Sequence, residues 1–385
     1  FLSADFVFPV SSPPVPQGIV AVKDDGCIDG IFVAGQLSEN LLIEKHEGIL
    51  CPGFVNAHCH LELSYLKGKI EKHTSLTGFI AALLNERNKQ ASEFVIKKAA
   101  AEADNIMFEN GISAVGDISN NALSFEVKEG SRIAYHTFIE LYDFLEERTN
   151  EVFNNGQKLF SSFPKLRKSL TPHATYSVTQ KLLNKILVWN SQLPVSIHHD
   201  ETQGEKELLE KGAGEFALFF QKYFKKDFSL KEGTTSIQRL LEKINNEQPL
   251  LLVHNTYSSA ETVKLINDYG KKVFWCFCPK ANLYIENRLP DFKLFSSLEN
   301  CCLGTDSLAS NDTLCILDEM KTIIRHYPEI STDKLLKWAT LNSAAALMLD
   351  NQFGSLEKNK KPGILLIGNT EEKKITHKSR VKRLV

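Results

Sequence analysis

Pro52-Gly53-Phe54-Val55-Asn56-Ala57-His58-Cys59-His60 decides how this chain reads. The run before it, Gly48-Ile49-Leu50-Cys51, is apolar, turns at Pro52-Gly53, and re-enters an extended stretch that ends in two histidines. Side chains on a strand alternate with period two, so His58 and His60 project from one face and Cys59 from the other. Both imidazoles can then reach one metal ion. A bare His-x-His is a weak signal, because two unrelated surface or core histidines are commoner. Its weight comes from the sequence around and after it.

Apolar, β-rich segments recur near 54–60, 112–117, 132–139, 168–173, 194–199, 249–254, 272–278 and 301–306, with helical patterns between them. Eight strand–helix units predict an α/β fold, most economically a closed (β/α)8 barrel of the TIM type. A doubly wound open sheet is the alternative, but no Gly-x-Gly-x-x-Gly follows an early strand. One helix is expected over 92–110, with Ser92 as N-cap, a face of Val95, Ala99, Ala103 and Ile106, and Gly111 as stop. The stretch 203–247 is long for one connection and carries Phe216, Phe219, Phe220, Tyr223 and Phe224. It reads either as a helix packed on the barrel or as a lid over the site.

Outside these units the pattern changes. Residues 5–10, 18–22 and 27–33 read as short strands, with a hairpin signal at Asp25-Gly26. A further strand at 363–367 is expected to pair with them. The domains expected are a small composite β-sandwich from 1–50 and 350–385, and a catalytic barrel over 51–349.

Bulk properties narrow the function. With 385 residues the chain can bury a large core. Its 45 Lys+Arg against 47 Asp+Glu give a net charge of −2, so no basic field points to nucleic acid or an anionic membrane. No run of apolar residues is long enough to span a bilayer. Phe1-Leu2-Ser3-Ala4-Asp5 lacks a basic leader and reads as a trimmed start rather than a signal peptide. Cys276-x-Cys278 and Cys301-Cys302 sit in strand-like runs and read as reduced core thiols, which fits the cytoplasm. A small-molecule substrate is the expected partner, and a homodimer stays open.

Chemistry-bearing residues fall at the C-terminal ends of the expected strands: His58 and His60, His173, His198-His199-Asp200-Glu201, His254, and Asp306. Barrel enzymes build their sites at that face. Three or four nitrogen and oxygen ligands with an open position suit one catalytic Zn²⁺ or Fe²⁺.

In these motifs, with Cys278-Pro279-Lys280-Ala281-Asn282-Leu283 and Gly304-Thr305-Asp306-Ser307, the chain resembles the amidohydrolase superfamily. It looks like the branch of adenosine-type, guanine and cytosine deaminases and triazine hydrolases. The resemblance implies His58, His60, His198 and Asp306 as metal ligands. It implies Glu201 as a proton shuttle, His254 as a group polarising water or the tetrahedral intermediate, and His173 and Asn282 as pocket residues. Only one of His198 and His199 can face the ion, and the His-x-x-Glu register selects His198. The strand-4 lysine of binuclear branches is missing, since Lys168 lies earlier in the strand, so one ion is expected.

Water held by a divalent ion has its pKa lowered from ~15.7 towards ~7. It can then attack a ring carbon bearing an amine. Asp306 takes the water's proton, Glu201 gives one to the ring nitrogen, and ammonia leaves. Glu62, two residues after His60, reads either as a substrate-binding carboxylate for ribose hydroxyls or as a charge at a helix N-terminus. The His58-Cys59-His60-Leu61-Glu62-Leu63-Ser64 string and Gly212-Ala213-Gly214-Glu215-Phe216 are similar to aminodeoxyfutalosine deaminases. The expected activity is therefore deamination of a 6-aminopurine nucleoside. Hydrolysis of a cyclic amide or triazine bond is the alternative. A non-catalytic binding protein is disfavoured, because every expected ligand is present.

Overall fold

The computed structural model describes residues 1–385 except Glu39, Leu145 and 226–235. Eight parallel strands form where the apolar segments recur. They are β1 (Phe54–Cys59), β2 (Ile112–Ser119), β3 (Ala134–Leu141), β4 (Arg167–Pro172), β5 (Val195–His199), β6 (Leu250–His254), β7 (Val273–Phe277) and β8 (Cys301–Leu303). They make two four-stranded sheets, one ordered β4-β3-β2-β1 and the other β5-β6-β7-β8. Isolated parallel bridges join the sheets at both seams, Cys59 with Asp306 and Ala174 with His198.

Packing follows strand alternation. On β6, Leu250 and Leu252 join the large cluster shared with the helices, while Leu251 and Val253 join a second cluster with Val55, Ala57, Phe138 and Cys276. Strand β1 breaks this rule. Val55 and Ala57 belong to the second cluster, but Phe54 and Cys59 to the first, and the ladder with β2 shifts register between Asn56 and Cys59. A bulge re-aims the side chains beyond it. The bulge, rather than unbroken alternation, sets the direction in which His58 and His60 point.

Two boundaries differ from expectation. β1 stops at Cys59, so His60 already lies in the turn before the short 3-10 helix Leu61–Leu66. β8 is only Cys301–Leu303. Beyond it Gly304 passes so close to β1 that a Cβ there would lie 2.8 Å from His58 Cβ and 3.0 Å from Cys278 Sγ. Glycine permits this approach.

The helix expected over 92–110 spans Glu93–Glu109, with the Ser92 hydroxyl accepting from Val95 N and Gly111 following at φ 86°. Of its expected buried face, Ala103 is buried and Val95 and Ile106 are not. Ala100, Ala103, Asp104 and Met107 face the strands, whereas Val95 and Ile106 are about half exposed. Asp104 is accepted inside because Ser131 and Tyr135 each donate to it at 2.7 Å.

Residues from both ends of the sequence form two further sheets. Ile19–Val22 and Ile28–Phe32 make the hairpin signalled by Asp25-Gly26, with Gly26 at φ 83°. Ile364–Gly368 pairs antiparallel not with the strands expected at 5–10, 18–22 or 27–33 but with Ile49–Pro52, and also with Arg380–Arg383, a nearby partner the sequence reading missed. Cys276, Cys278, Cys301 and Cys302 are buried free thiols. Among the described residues no helix is long and apolar enough to cross a membrane.

Candidate active site

The C-terminal ends of β1, β5 and β6 and the turn after β8 bring four imidazoles and one carboxylate together. His60 Nε2 lies 3.2 Å from His58 Nε2 and 3.3 Å from Asp306 Oδ1, and His58 Nε2 lies 3.7 Å from that same oxygen. The rings of His198 and His254 stack 5.3 Å apart and stand 5.0 and 5.9 Å from His58. Ligand atoms of His58, His60 and Asp306, and separately of His58, His198 and His254, all lie within 4.8 Å of one another. Such a set can hold one metal ion. His254, expected beside an ion rather than on it, is thus geometrically part of the cluster.

The protonation states suit ligation. Burial pushes His58 down to about 3, with His60 and His198 adding to the effect, and burial also lowers His198 and His254. Neutral imidazoles keep a lone pair free for a metal. Burial alone would raise Asp306, but His58, His60 and His254 hold its carboxyl well below the usual range. His58 Nδ1 is buried with no hydrogen-bond partner in the structure. The donor set and its charge fit a single divalent cation.

Left-handed backbone occurs at several turns of the chain, and four of these residues lie around the cluster. Asp200, His254, Asn255 and Asp306 all have left-handed φ, between 46° and 79°. Non-glycine residues rarely adopt it, and such strain gathers at functional sites.

His198 and His199 point apart. His198 Nδ1 is 2.8 Å from the His173 carbonyl, which turns its other nitrogen to the cluster. His199 Nδ1 lies 3.1 Å from Asn255 Oδ1, and its ring faces Trp275. Lys168 points away from the site, its ammonium donating to the carbonyls of Ser162 and Phe163.

Glu201 lies at the edge of the cluster, 3.6 Å from His254 Nε2 and 6% exposed. Burial pushes its carboxyl up to about 8. Its backbone N–H donates to Glu205 at 2.9 Å, which fixes the turn between β5 and the helix Gln203–Lys211.

The cluster opens into a cavity lined by His60, His173, His198, Glu201, His254 and Asp306 on one side. The other side is apolar: Leu76, Phe79 and Leu83 of helix Ser75–Asn88 and Phe216, Phe220 and Phe224 of helix Glu215–Phe224. The described part of the long connection is therefore both packed on the fold and a wall of the cavity, while Tyr223 is exposed. Residues 226–235 of that stretch lie outside the described residues.

Two expected substrate contacts stand elsewhere. Asn282 is buried behind His254, with Oδ1 2.9 Å from His254 Nδ1 and its amide donating to the His254 carbonyl at 3.4 Å. Glu62 faces a neighbouring cleft with Tyr65, Arg87, Gln90 and Asn120. It accepts from Asn120 N at 3.2 Å and lies 3.7 Å from Arg87. Burial pushes it up to about 7.

Sequence reasoning missed Glu140, Asn120 and Arg87, which also line the cavity. Glu140, at the end of β3, lies 3.8 Å from His198 Nδ1 and accepts from Asn120 Nδ2 at 2.9 Å. Burial opposes its charge, but His173, His198 and His60 hold it down at about 2. Its signal was a lone acidic residue near the end of an apolar strand, the same signal that marked Asp306.

A cluster of four histidines and an aspartate with an adjacent glutamate, at one end of eight parallel strands, defines a metal-dependent hydrolase class. Residues 49–382 match the Amidohydrolase family, and the chain belongs to that family. It is 28% identical over 337 residues to the adenosine deaminase of Helicobacter pylori, spanning 84% of this chain and 80% of that one. It is 27% identical over 337 residues to the 5-methylthioadenosine/S-adenosylhomocysteine deaminase of Teredinibacter turnerae, spanning 83% and 71%. The crystal structure of Helicobacter pylori aminofutalosine deaminase in complex with methylthio-coformycin superposes with a TM-score of 0.83. That superposition has 25% identity and covers 100% of this chain and 99% of the other.

Proposed function

We propose that this protein is a metal-dependent aminohydrolase that deaminates a 6-aminopurine nucleoside carrying an apolar 5′ substituent. The observation that carries this reading is Glu201, buried and pushed towards its neutral form beside the His58–His60–His198–Asp306 cluster, at the floor of a cavity with an aromatic wall. His58, His60, His198 and Asp306 would hold the ion, zinc or iron(II). When bound, that ion supplies Lewis acidity that makes water nucleophilic at neutral pH.

The chain's own groups then move the protons. Glu201, as the neutral acid, donates to N1 of the purine while water adds to C6. Asp306 accepts one proton of that water and passes it to the C6 amine. The remaining hydroxyl proton returns to Glu201, the C6–N bond breaks, and ammonia leaves with a carbonyl at C6. His254 donates from Nδ1 to Asn282, which leaves Nε2 facing the reacting oxygen and Glu201. The aromatic wall excludes water and receives the 5′ substituent, a reading supported by the names of the relatives above.

For the scaffold, we read the two four-stranded sheets as one barrel over 51–349, closed by the seam bridges at Cys59–Asp306 and Ala174–His198. Residues 1–50 and 350–385 form a composite β-domain, supported by the ladder between Ile364–Gly368 and Ile49–Pro52.

The test is ammonia release by metal-replete protein from adenosine, 5′-methylthioadenosine, adenine and a cyclic amide. Glu201→Gln is assayed beside it for activity and metal content. The nucleosides should react, and Glu201→Gln should keep its metal and lose ~10²-fold or more in rate, the range for a proton-transfer group. Hydrolysis of the cyclic amide without ammonia release from the nucleosides would overturn the reading.

A further inference from the structure

Glu319 is fully buried in the helix Ile316–His326, outside the metal cluster. Its two carboxylate oxygens do different work. Oε2 accepts the Lys280 backbone N–H at 2.8 Å, and Oε1 accepts from Asn311 Nδ2 at 2.8 Å. Each bond holds a segment that carries a group of the site.

The first segment is the helix Pro279–Glu286. Its N-cap, Cys278, makes no side-chain cap, so the first-turn N–H groups lack a local partner. Glu319 supplies one from another helix. Asn282, in that same turn, is the residue that holds His254 Nδ1. The second segment is the turn after β8. The Asn311 amide donates both to Glu319 and, at 2.8 Å, to the carbonyl of Thr305, the residue before Asp306. Asn311 Oδ1 accepts from Thr313 N at 3.2 Å, which fixes the amide with its donors facing Glu319. Asp306 sits in this turn at φ 55°, a conformation its surroundings must hold in place.

We propose that Glu319 is a positioning residue that sets Asp306 and His254 relative to each other from outside the site. The inference rests on the deaminase reading for its kinetic consequence and on geometry alone for the coupling of the two segments. Two acceptors are required. The carboxylate and the neutral acid both keep a lone pair on each oxygen, whereas glutamine has the same shape but turns one arm into an amide NH2 that only donates and meets an N–H donor.

The experiment compares wild type, Glu319→Gln and Ile323→Val as metal-loaded proteins. Ile323→Val trims a fully buried side chain of the same helix and lowers stability without touching either bond. Amide hydrogen exchange is read over 279–286 and 303–312, with metal release to a chelator and kcat and KM for ammonia release. Glu319→Gln should speed exchange in both segments and hasten metal release. It should also lower kcat by ~10–100-fold with little change in KM, the range for groups that orient metal ligands. Ile323→Val should do none of these. Matching behaviour of the two variants overturns the proposal. If Glu319→Gln does not fold, Asn311→Ala removes one arm only. Faster exchange confined to 303–312 then supports the coupling, and unchanged exchange there overturns it. A wild type that releases no ammonia removes the deaminase reading, while exchange still decides whether Glu319 joins the segments.

Discussion

Asn282 stands directly behind His254, with Oδ1 2.9 Å from the imidazole Nδ1, while the opposite nitrogen lies 3.6 Å from Glu201. The amide NH2 of Asn282 is committed to the His254 carbonyl, so its oxygen faces the ring. That contact puts the proton of the neutral imidazole on Nδ1 and leaves Nε2 as the acceptor. Asn282→Leu should keep the shape of the site but free the ring. Turnover is expected to fall ~10-fold or more with metal content unchanged. Steady-state rates and elemental analysis on one preparation check it, and full activity in the variant would contradict the assignment.

Neighbouring histidines should behave differently. His198→Ala removes a proposed ligand and should empty the site of metal. His199→Ala should keep the metal, because that ring bonds Asn255 and faces Trp275. It should lower stability by about 1–3 kcal/mol, since the buried Asn255 oxygen loses its partner. Metal analysis and denaturant unfolding of the two variants separate these effects. The opposite pattern of metal loss would mean that strand β5 faces the other way.

The aromatic wall predicts selectivity. Phe224 packs against Phe144, ring centroids 4.2 Å apart and tilted by 34°, and lines the cavity with the histidine cluster. Phe224→Ala should raise KM for a nucleoside with an apolar 5′ group and leave kcat nearly unchanged, because only binding common to ground and transition states is lost. Adenosine, without that group, should respond less. An equal rise in KM for both substrates would place the 5′ end elsewhere.

Glu319 also gives a pH prediction. Burial pushes its carboxyl up to about 8, outweighing the bonds from Lys280 and Asn311. A carboxyl with a raised folded pKa stabilises the fold fully below its unfolded value. That contribution is lost as pH rises towards the folded value. Relative to Glu319→Gln, wild type should therefore lose stability between about pH 4.5 and 8, then level off. Thermal melting of both proteins across that range tests the slope, and a parallel pair of curves would be inconsistent with it.

Local chemistry made much of this legible. Repeated apolar segments located all eight strands, and His58, His60, His198, Glu201, His254 and Asp306 meet in one place because strand ends in a parallel sheet share a face. What escaped depends on partners far along the chain. The β1 bulge arises from register with β2 and shows no local sign. Glu140 matters because β3 ends beside His173 and His198. Asn282 was read as a pocket residue, since a sequence motif says which residues gather but not which of them stands behind another. The buried face of helix Glu93–Glu109 was in part misjudged for a similar reason. Its exposed Val95 and Ile106 look like core residues, and only packing reveals that Asp104, bonded by Ser131 and Tyr135, belongs inside.

The ladder between Ile49–Pro52 and Ile364–Gly368 bears on how the chain is made. The segment leading into β1 borrows hydrogen-bond partners from residues that leave the ribosome long after it. Until they arrive, Ile49, Leu50 and Cys51 present an unsatisfied apolar edge to the cell. During synthesis β1, with His58 near its end, therefore emerges behind an unprotected neighbour, and nascent chains halted before residue 364 are the species for which chaperone dependence should be greatest.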